Sequence, residues 1–432
     1  MKGLVLSIIP MITTTQEIRK VPELKCIWKR ASSLQGEYYA LHFGSVADIP
    51  EHEWNKTLGN GSSFLNLNYL RALEEAHDVG LELRYVMFRN NVDEFVGVAA
   101  FQITHFVTSD DAYSNAFLKW LNKATQFIRR GHIHNILICG NAFATGEHGF
   151  HFNNILTGDE QVRLILDAMF QISAVERSKG KPICAMLSKD FYPSSAEVSK
   201  AFSRRRFSSF QVDHNMVMPI RNTWKTFDDY LADLNTKCRT KAKAAFKRSE
   251  KVLIKRLDSA AIREHAETMQ ALYDAVYEKA DFRLGKMNIH GLEGIQHPND
   301  NDFCVCGYFL QDKMVGFSTS MKNGQSLEAH VIGIDYSVNR DYAIYQRMLY
   351  NYVEIAIERK VDRVVFGRTA AEIKSTIGAV PVDLTCCVFH PRKISNALLN
   401  LILNYVKPSD YPHRNPWRAE VEEQLKKIPV NP

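Results

Sequence analysis

The sequence predicts an α+β chain made of two copies of one strand-and-helix unit, and three observations predict it. Hairpin patterns recur, because residues 83–89 and 95–103 flank the turn Asn90-Asn91-Val92-Asp93-Glu94, just as residues 303–310 and 314–321 flank Gln311-Asp312-Lys313. Each hairpin is followed by an apolar strand, an amphipathic helix and a second strand. In the first half these are residues 135–140, the stripe Val162, Ile165, Leu166, Met169 and Ile172, and residues 182–188; in the second they are residues 327–336, the stripe Tyr345, Met348, Leu349, Tyr352, Ile355 and Ala356, and residues 363–367. A short helix and a last strand close each copy, at 194–202 and 210–218 and again at 371–377 and 382–390. Self-similarity of this kind is read before any other fold signal.

At 432 residues and 45% hydrophobic content, the length favours two or three packed domains. The division expected is an extension over 1–36, a first unit over 37–220, a basic linker helix over 221–256, a second unit over 257–392, and an amphipathic helix and tail over 393–432. Eight cysteines at positions 26, 139, 184, 238, 304, 306, 386 and 387 show no C-x-x-C pair, which points to a reducing cytoplasm and no structural zinc. His132, His134, His148 and His151 lack partnering carboxylates or cysteines at ligand spacing, so no metal is expected. The apolar run 4–12 is short, has one basic residue before it and no small-residue cleavage site before Lys20, and is not read as a signal peptide. No run approaches the roughly 18 apolar residues of a membrane span.

The net charge of +6 is mild, so its distribution matters more than its size. Between Lys237 and Arg256 stand nine basic residues and the single acid Glu250. That stretch is either a solvated linker helix or a surface for the phosphates of a carrier, a tRNA or anionic lipid. Residues 115–130 combine Phe117, Leu118, Trp120, Leu121, Phe127 and Ile128 with four basic residues and no acid, and residues 394–406 place Asn396, Asn400 and Asn404 on one stripe of an apolar helix. Each segment either lies in a membrane interface or packs on a neighbouring domain.

Gly333-Ile334-Asp335-Tyr336-Ser337, the helix ending Ile355-Ala356-Ile357-Glu358-Arg359-Lys360, and Phe366-Gly367-Arg368-Thr369 followed by Lys374 and Gly378 resemble the second half of GNAT-superfamily enzymes. Within that superfamily they resemble the two-domain branch of FemAB-like and BioF2-like N-acyltransferases. Phe227-Asp228-Asp229-Tyr230-Leu231 and Lys237-Cys238-Arg239-Thr240-Lys241-Ala242-Lys243 extend the resemblance over roughly the last 210 residues. It implies tandem GNAT-like domains, each a mixed, largely antiparallel sheet flanked by helices. It also implies transfer of an acyl group from acyl-CoA or acyl-ACP to the amine of a small molecule, an amino-lipid or a cell-envelope precursor, in the cytoplasm, with peripheral contact at the inner membrane face. The glycine-rich loop that cradles coenzyme A pyrophosphate in single-domain members is missing. An aminoacyl-tRNA donor for a peptidoglycan precursor therefore stays open, as does a non-catalytic double domain that binds lipid or a partner.

Acyl transfer to an amine needs a proton acceptor and a clamp on the donor. Period-two alternation puts Glu328 and His330 on one face of a strand, where they could share an amine's proton, with His330 preferred as the base because its ordinary pKa lies near working pH; His330 is otherwise a hydrogen-bonded ring in the sheet. Asp335, at the strand's end, either orients the amine or starts the next turn. Donor contacts are expected at Asn339, Arg340 and Tyr342, where a helix N-terminus would favour phosphate. Arg368, Thr369 and Lys374, following an apolar strand, are expected to approach an anion in the donor or acceptor site, or else Arg368 forms a surface salt bridge and Lys374 is a solvated surface cation.

Overall fold

The computed structural model describes residues 28–32, 36–76, 80–107, 133–153, 156–279, 285–296, 302–403, 408–409, 411–428 and 430. They form two mixed, largely antiparallel sheets flanked by helices, the fold class expected. The amphipathic segment 115–130 lies outside the described residues.

The first sheet opens on β1 (Trp28–Ser32) and β2 (Gly36–Phe43), followed by helices α1 (Glu51–Leu58) and α2 (Leu67–Glu75). The hairpin β3 (Leu81–Asn90) and β4 (Phe95–Val107), then β5 (Ile133–Cys139), β6 (Phe150–Phe152), α3 (Gly158–Ser178), β7 (Ile183–Phe191), α4 (Ala196–Ser203) and β8 (Ser208–Gln211) complete the first run. α3 starts where Thr157 and Glu160 close a capping box, and it buries the stripe Val162, Ile165, Leu166, Met169 and Ile172.

The chain then crosses through β9 (Asn215–Pro219), α5 (Phe227–Asp233) and α6 (Thr236–Arg248) to β10 (Val252–Leu257) and α7 (Ser259–Tyr277). The second hairpin is β11 (Phe303–Leu310) and β12 (Lys313–Asn323), followed by β13 (Ser326–Ile334), α8 (Tyr336–Tyr342), α9 (Ile344–Glu358), β14 (Arg363–Val365), α10 (Ala371–Ser375), β15 (Val380–Val382) and β16 (Thr385–Phe389). Helices α11 (Lys393–Leu403) and α12 (Ala419–Leu425) end the chain. On α11, Leu399 and Leu403 are buried against the first sheet, Asn396 is bonded to Arg206 O and His390 N, and Ile394 and Leu398 face outward.

Two expectations are corrected. The basic stretch 237–256 is not one helix, because Val252–Leu257 pairs along its whole length with β11, with Val252 and Leu257 buried while Leu253, Lys255 and Arg256 stay exposed. Residues 210–218 and 382–390 are not two strands but four. The first sheet runs β1-β2-β3-β4-β5-β7-β16-β8, with β6 beside β4, and the second runs β10-β11-β12-β13-β14-β9-β15. Each half thus lends the other a strand: β9 sits between β14 and β15, and β16 between β7 and β8. His214 and Asp383 meet at 2.9 Å in the two short connections where the chains cross over.

A first unit ending at 220 and a second ending at 392 therefore each carry a strand of the other's sheet. The hydrophobic core is shared as well, since Trp54, Leu65, Tyr69, Leu73 and Tyr85 pack in one cluster with Ile262, Met269, Phe303, Phe317 and Val331. Residues 221–432 expressed alone would expose one edge of β14 and half of that cluster, which invites aggregation. Sedimentation and limited proteolysis are expected to find that fragment aggregated or rapidly digested, whereas a monodisperse, resistant fragment would show that the second half stands by itself.

Candidate functional site

The two copies differ most at the point where their parallel strands part. In the first, β5 stays paired with β7 from Asn135 to Cys139, and the loop after it folds back over the strand ends. Lys189 holds that loop down, donating to Asn141 O and Ala144 O at 2.8 Å each. Gly140 is required there: its φ is +143° and an added Cβ would stand 2.5 Å from Lys189 Cγ.

In the second copy β13 and β14 pair only at Ser326–Arg363, Leu327–Val364 and Glu328–Val365. Beyond Val365 the chain stays with β9, through Phe366 N to Met216 O, so β13 continues without a neighbour on that side. A β-bulge sits at the same level, two residues of β13, His330 and Val331, facing Thr319 alone. Thr319 Oγ1 accepts from Val331 N at 2.8 Å and donates to Val331 O at 3.2 Å, which fixes the bulge. The opening thus begins at Glu328.

Glu328 is buried, and burial pushes its carboxyl up to about 8, against the opposing effects of a hydrogen bond from Asn323 and the charge of Arg363. Asn323 is itself held by the first half, its Oδ1 accepting from Ser63 N at 2.9 Å. His330 has a different environment. Phe143 N donates to Asn141 Oδ1, so Asn141 Nδ2 donates to Tyr69 Oη at 3.0 Å, and the Tyr69 proton points at His330 Nε2, 3.2 Å away. The imidazole's basic lone pair is occupied, and burial lowers its pKa to about 3. His330 is a hydrogen-bonded ring packed on Phe64, the alternative its strand allowed, and its lowered pKa disfavours it as the proton acceptor.

A second histidine lies alongside. His148 Nε2 donates to Thr145 O and its Nδ1 accepts from Ser62 Oγ at 2.8 Å, while burial and the Lys189 charge lower its pKa to about 3.

Arg368 crosses to the first half and pairs with Asp190, a buried carboxylate that also takes Lys189 at 2.5 Å and Gly146 N at 3.2 Å. Lys374 is buried and donates to Phe366 O at 2.7 Å and Gly367 O at 3.2 Å, burial lowering its pKa to about 7. Lys374 is thereby corrected as an anion contact, since it is bonded inside the protein, whereas Arg368, half-buried and paired with Asp190, keeps a buried Nε without a hydrogen-bond partner. Thr369 and Arg340 are exposed. Asp335 caps α8, accepting from Ser337 N and Oγ, and this hydrogen bonding lowers its pKa. The expected polar link is α8 itself, and α9 starts only after Ala343, whose φ is +51°. Asn339 Oδ1 accepts from Tyr345 N, covering the first turn of α9, and Tyr342 packs on the core beside it, so neither faces an open helix end.

Two cavities matter. One of about 380 Å³ lies between α6, α9 and α10, lined by Lys241, Gln346, Tyr350, Ala370, Glu372, Ile373 and Thr376. The other, about 190 Å³, lies in the first half by Ser62, Glu147, His151, Ser188 and Lys189. Glu328 and His330 line neither. Among the described residues, no group of three or more metal-ligating side chains occurs, and no helix is long and apolar enough to cross a membrane. Tyr69, Asn141, Asp190 and Asn323 were not legible as site residues; only the adjacent charges Lys189-Asp190 after an apolar strand gave a signal.

No protein-family model matches the chain, and no curated protein sequence does. Among solved structures, FemX is 14% identical, covering 82% of this chain and 98% of its own at a TM-score of 0.49. A tandem GNAT protein from the clavulanic acid biosynthesis pathway is 8% identical, with coverage of 82% and 98% and a TM-score of 0.46. L-PGS from Bacillus licheniformis is 11% identical, with coverage of 82% and 96% and a TM-score of 0.45. None reaches 0.5, and no role of a residue in this chain follows from them.

The Lys189–Asp190–Arg368 group joins the two halves, and its geometry makes a stability prediction. Asp190→Asn keeps the shape and tolerates the residue's φ of +69° but leaves the buried Lys189 and the half-buried Arg368 without a counter-charge. A loss of about 3 kcal/mol or more is expected in urea denaturation. A loss below about 1 kcal/mol would mean that water reaches the group and neutralises it.

Proposed function

We propose that the protein is an N-acyltransferase that moves an acyl group from a thioester to an amine at the opening between β13 and β14, with Glu328 as the proton acceptor. The observation that carries this reading is the buried carboxyl at the start of the opening, with its pKa raised to about 8. A base poised near working pH can take a proton from an ammonium group and release it again.

Leu327 and Ile334 point to the helix face of the sheet and Glu328 to the other, so the opening joins the face carrying α9, α10 and the larger cavity to the face carrying the carboxyl. The donor's arm occupies the cavity between α9 and α10, and its carbonyl comes to the opening, where peptide groups of β13 left by β14 can meet the developing oxyanion. The amine approaches from the side of Glu328. Its nitrogen bonds to the carbonyl carbon, the carbon–sulfur bond breaks, and the proton held by Glu328 is the one available to the departing thiolate. His330, Tyr69 and Asn141 hold the bulge and the first-half loop in place. The acceptor is a small-molecule or lipid amine, and a cell-envelope precursor fits the same chemistry.

Because Glu328 acts as a base only when ionised, the rate is expected to rise as pH climbs through about 8. Glu328→Gln should lower turnover by about a hundredfold or more. The same substitution should stabilise the protein at high pH. A carboxyl whose folded pKa is raised contributes stability below its ordinary value of 4.5 that is lost as pH rises through about 8. Rate against pH and urea midpoints at pH 5 and pH 9 for parent and variant check both halves of this expectation. A variant as active as the parent toward every thioester donor and amine would reject Glu328 as the base.

His330→Gln separates the two candidates. Since His330 stays neutral from pH 5 to 9, the variant is expected to lose stability through the Tyr69 contact and to keep the position of the parent's pH limb. A limb displaced or abolished in His330→Gln would return the proton to the imidazole.

A further inference from the structure

We infer that the acyl donor is presented by a compact acidic protein carrying its thioester on a phosphopantetheine-type arm, and that α6 is the surface on which that protein docks. This rests on the acyl-transfer reading above. α6 spans 13 residues, about 20 Å of helix, and contains no acid. Its inner face is Ala242, Ala245 and Ser249, packed on the core with Cys238 and Phe246. Its outer face presents Lys237, Lys241, Lys243, Lys247 and Arg248, all exposed. Of these, Arg248 donates to the backbone of Asp341; the four lysines make no ion pair among the described residues.

The stripe begins at the mouth of the larger cavity, which Lys241 lines. About 380 Å³ is near the lower end for small-molecule sites, enough for a slender acyl-bearing arm but leaving its carrier outside. The carrier must then rest at the rim, along α6. A compact partner is favoured over a nucleic acid by what borders the stripe. Asn235, which caps α6, is bonded to Asn415 O and Pro416 O, and this contact brings α12 and its Glu420, Glu422 and Glu423 to the N-terminal end of α6. A long polyanion running past 20 Å of helix would meet these carboxylates, whereas a small acidic helix would not. Aromatic stacking, the other mark of a single-stranded nucleic-acid surface, is missing from the outer face, since Phe246 is turned inward beneath Arg347.

The test uses the full chain and the triple variant Lys237→Glu, Lys243→Glu, Lys247→Glu, which leaves Lys241 and the cavity intact. Binding is read by anisotropy of a fluorescent acyl carrier protein at 20 and 300 mM salt, and transfer is read in parallel with octanoyl-carrier protein and octanoyl-CoA. Expected are salt-sensitive binding by the parent, a loss of about tenfold or more in binding and in carrier-dependent kcat/KM in the variant, and a change below about threefold with the coenzyme A thioester. Equal losses with both donors, no binding of the carrier protein, or tighter binding of tRNA to the same face would overturn the proposal. If neither donor is turned over, the acyl-transfer reading fails by that result alone, and the binding arm still decides the docking surface.

Discussion

The reciprocal exchange of β9 and β16 is the constraint on which the rest of the structure depends. A strand inside a sheet is bonded on both sides, so each half is held by backbone hydrogen bonds within the other's sheet rather than by surface contact alone. Ordinary domain interfaces allow relative motion by default. Here the shared core of α1, α2 and α7 adds apolar packing to the exchange. Side chains from opposite halves can consequently meet at hydrogen-bonding distance, as Tyr69 does with His330, Ser63 with Asn323 and Asp190 with Arg368. A cluster assembled this way needs no closing motion to become ordered.

Within that rigid frame the two copies have separated in use by a few side chains. Lys189 on β7 of the first copy pulls the loop after β5 over the ends of β5 and β7 and fills the place where the strands could part. Lys374, after the corresponding strand of the second copy, instead bonds the carbonyls of Phe366 and Gly367 and keeps that segment beside β9, away from β13. Both lysines are buried and both satisfy backbone carbonyls; the direction in which each pulls decides whether its copy is closed or open. Burying a cation is costly unless it is paired, and these pairings are what make it tolerable.

Much of this was readable from residue patterns, and the unread part has physical causes. The stripes on α3 and α9, both hairpins and the shared face of Glu328 and His330 follow from period and alternation, which burial enforces locally. The exchange was hidden because Val212, Asp213 and His214 carry no glycine or proline, so residues 210–218 read as one strand although a tertiary decision splits them. The break before α9 falls on Ala343, a residue with no preference for positive φ. Arg368 and Lys374 read as surface cations because basic side chains are seldom buried, and only the partner contributed by a distant part of the chain reverses that expectation. The bulge at His330 depends on Thr319, eleven residues away on a neighbouring strand, and no local pattern announces it.

The arrangement of charge bears on how an amine could be made nucleophilic in so enclosed a place. Asp190 is the counter-charge for Lys189 and Arg368, and backbone carbonyls accept hydrogen bonds from the two lysines, while Glu328 has Asn323 and the charge of Arg363, too little to outweigh burial. An amine entering beside it can exist as ammonium with carboxylate or as free amine with carboxylic acid, two states of equal net charge. In water the first is strongly preferred. Low polarity penalises two separated charges more than two neutral groups, so the balance shifts toward free amine and acid as solvent is excluded. The burial that raises the carboxyl's pKa is therefore the same effect that would deliver the nucleophile, and it leaves on Glu328 the proton that the thiolate needs when it departs.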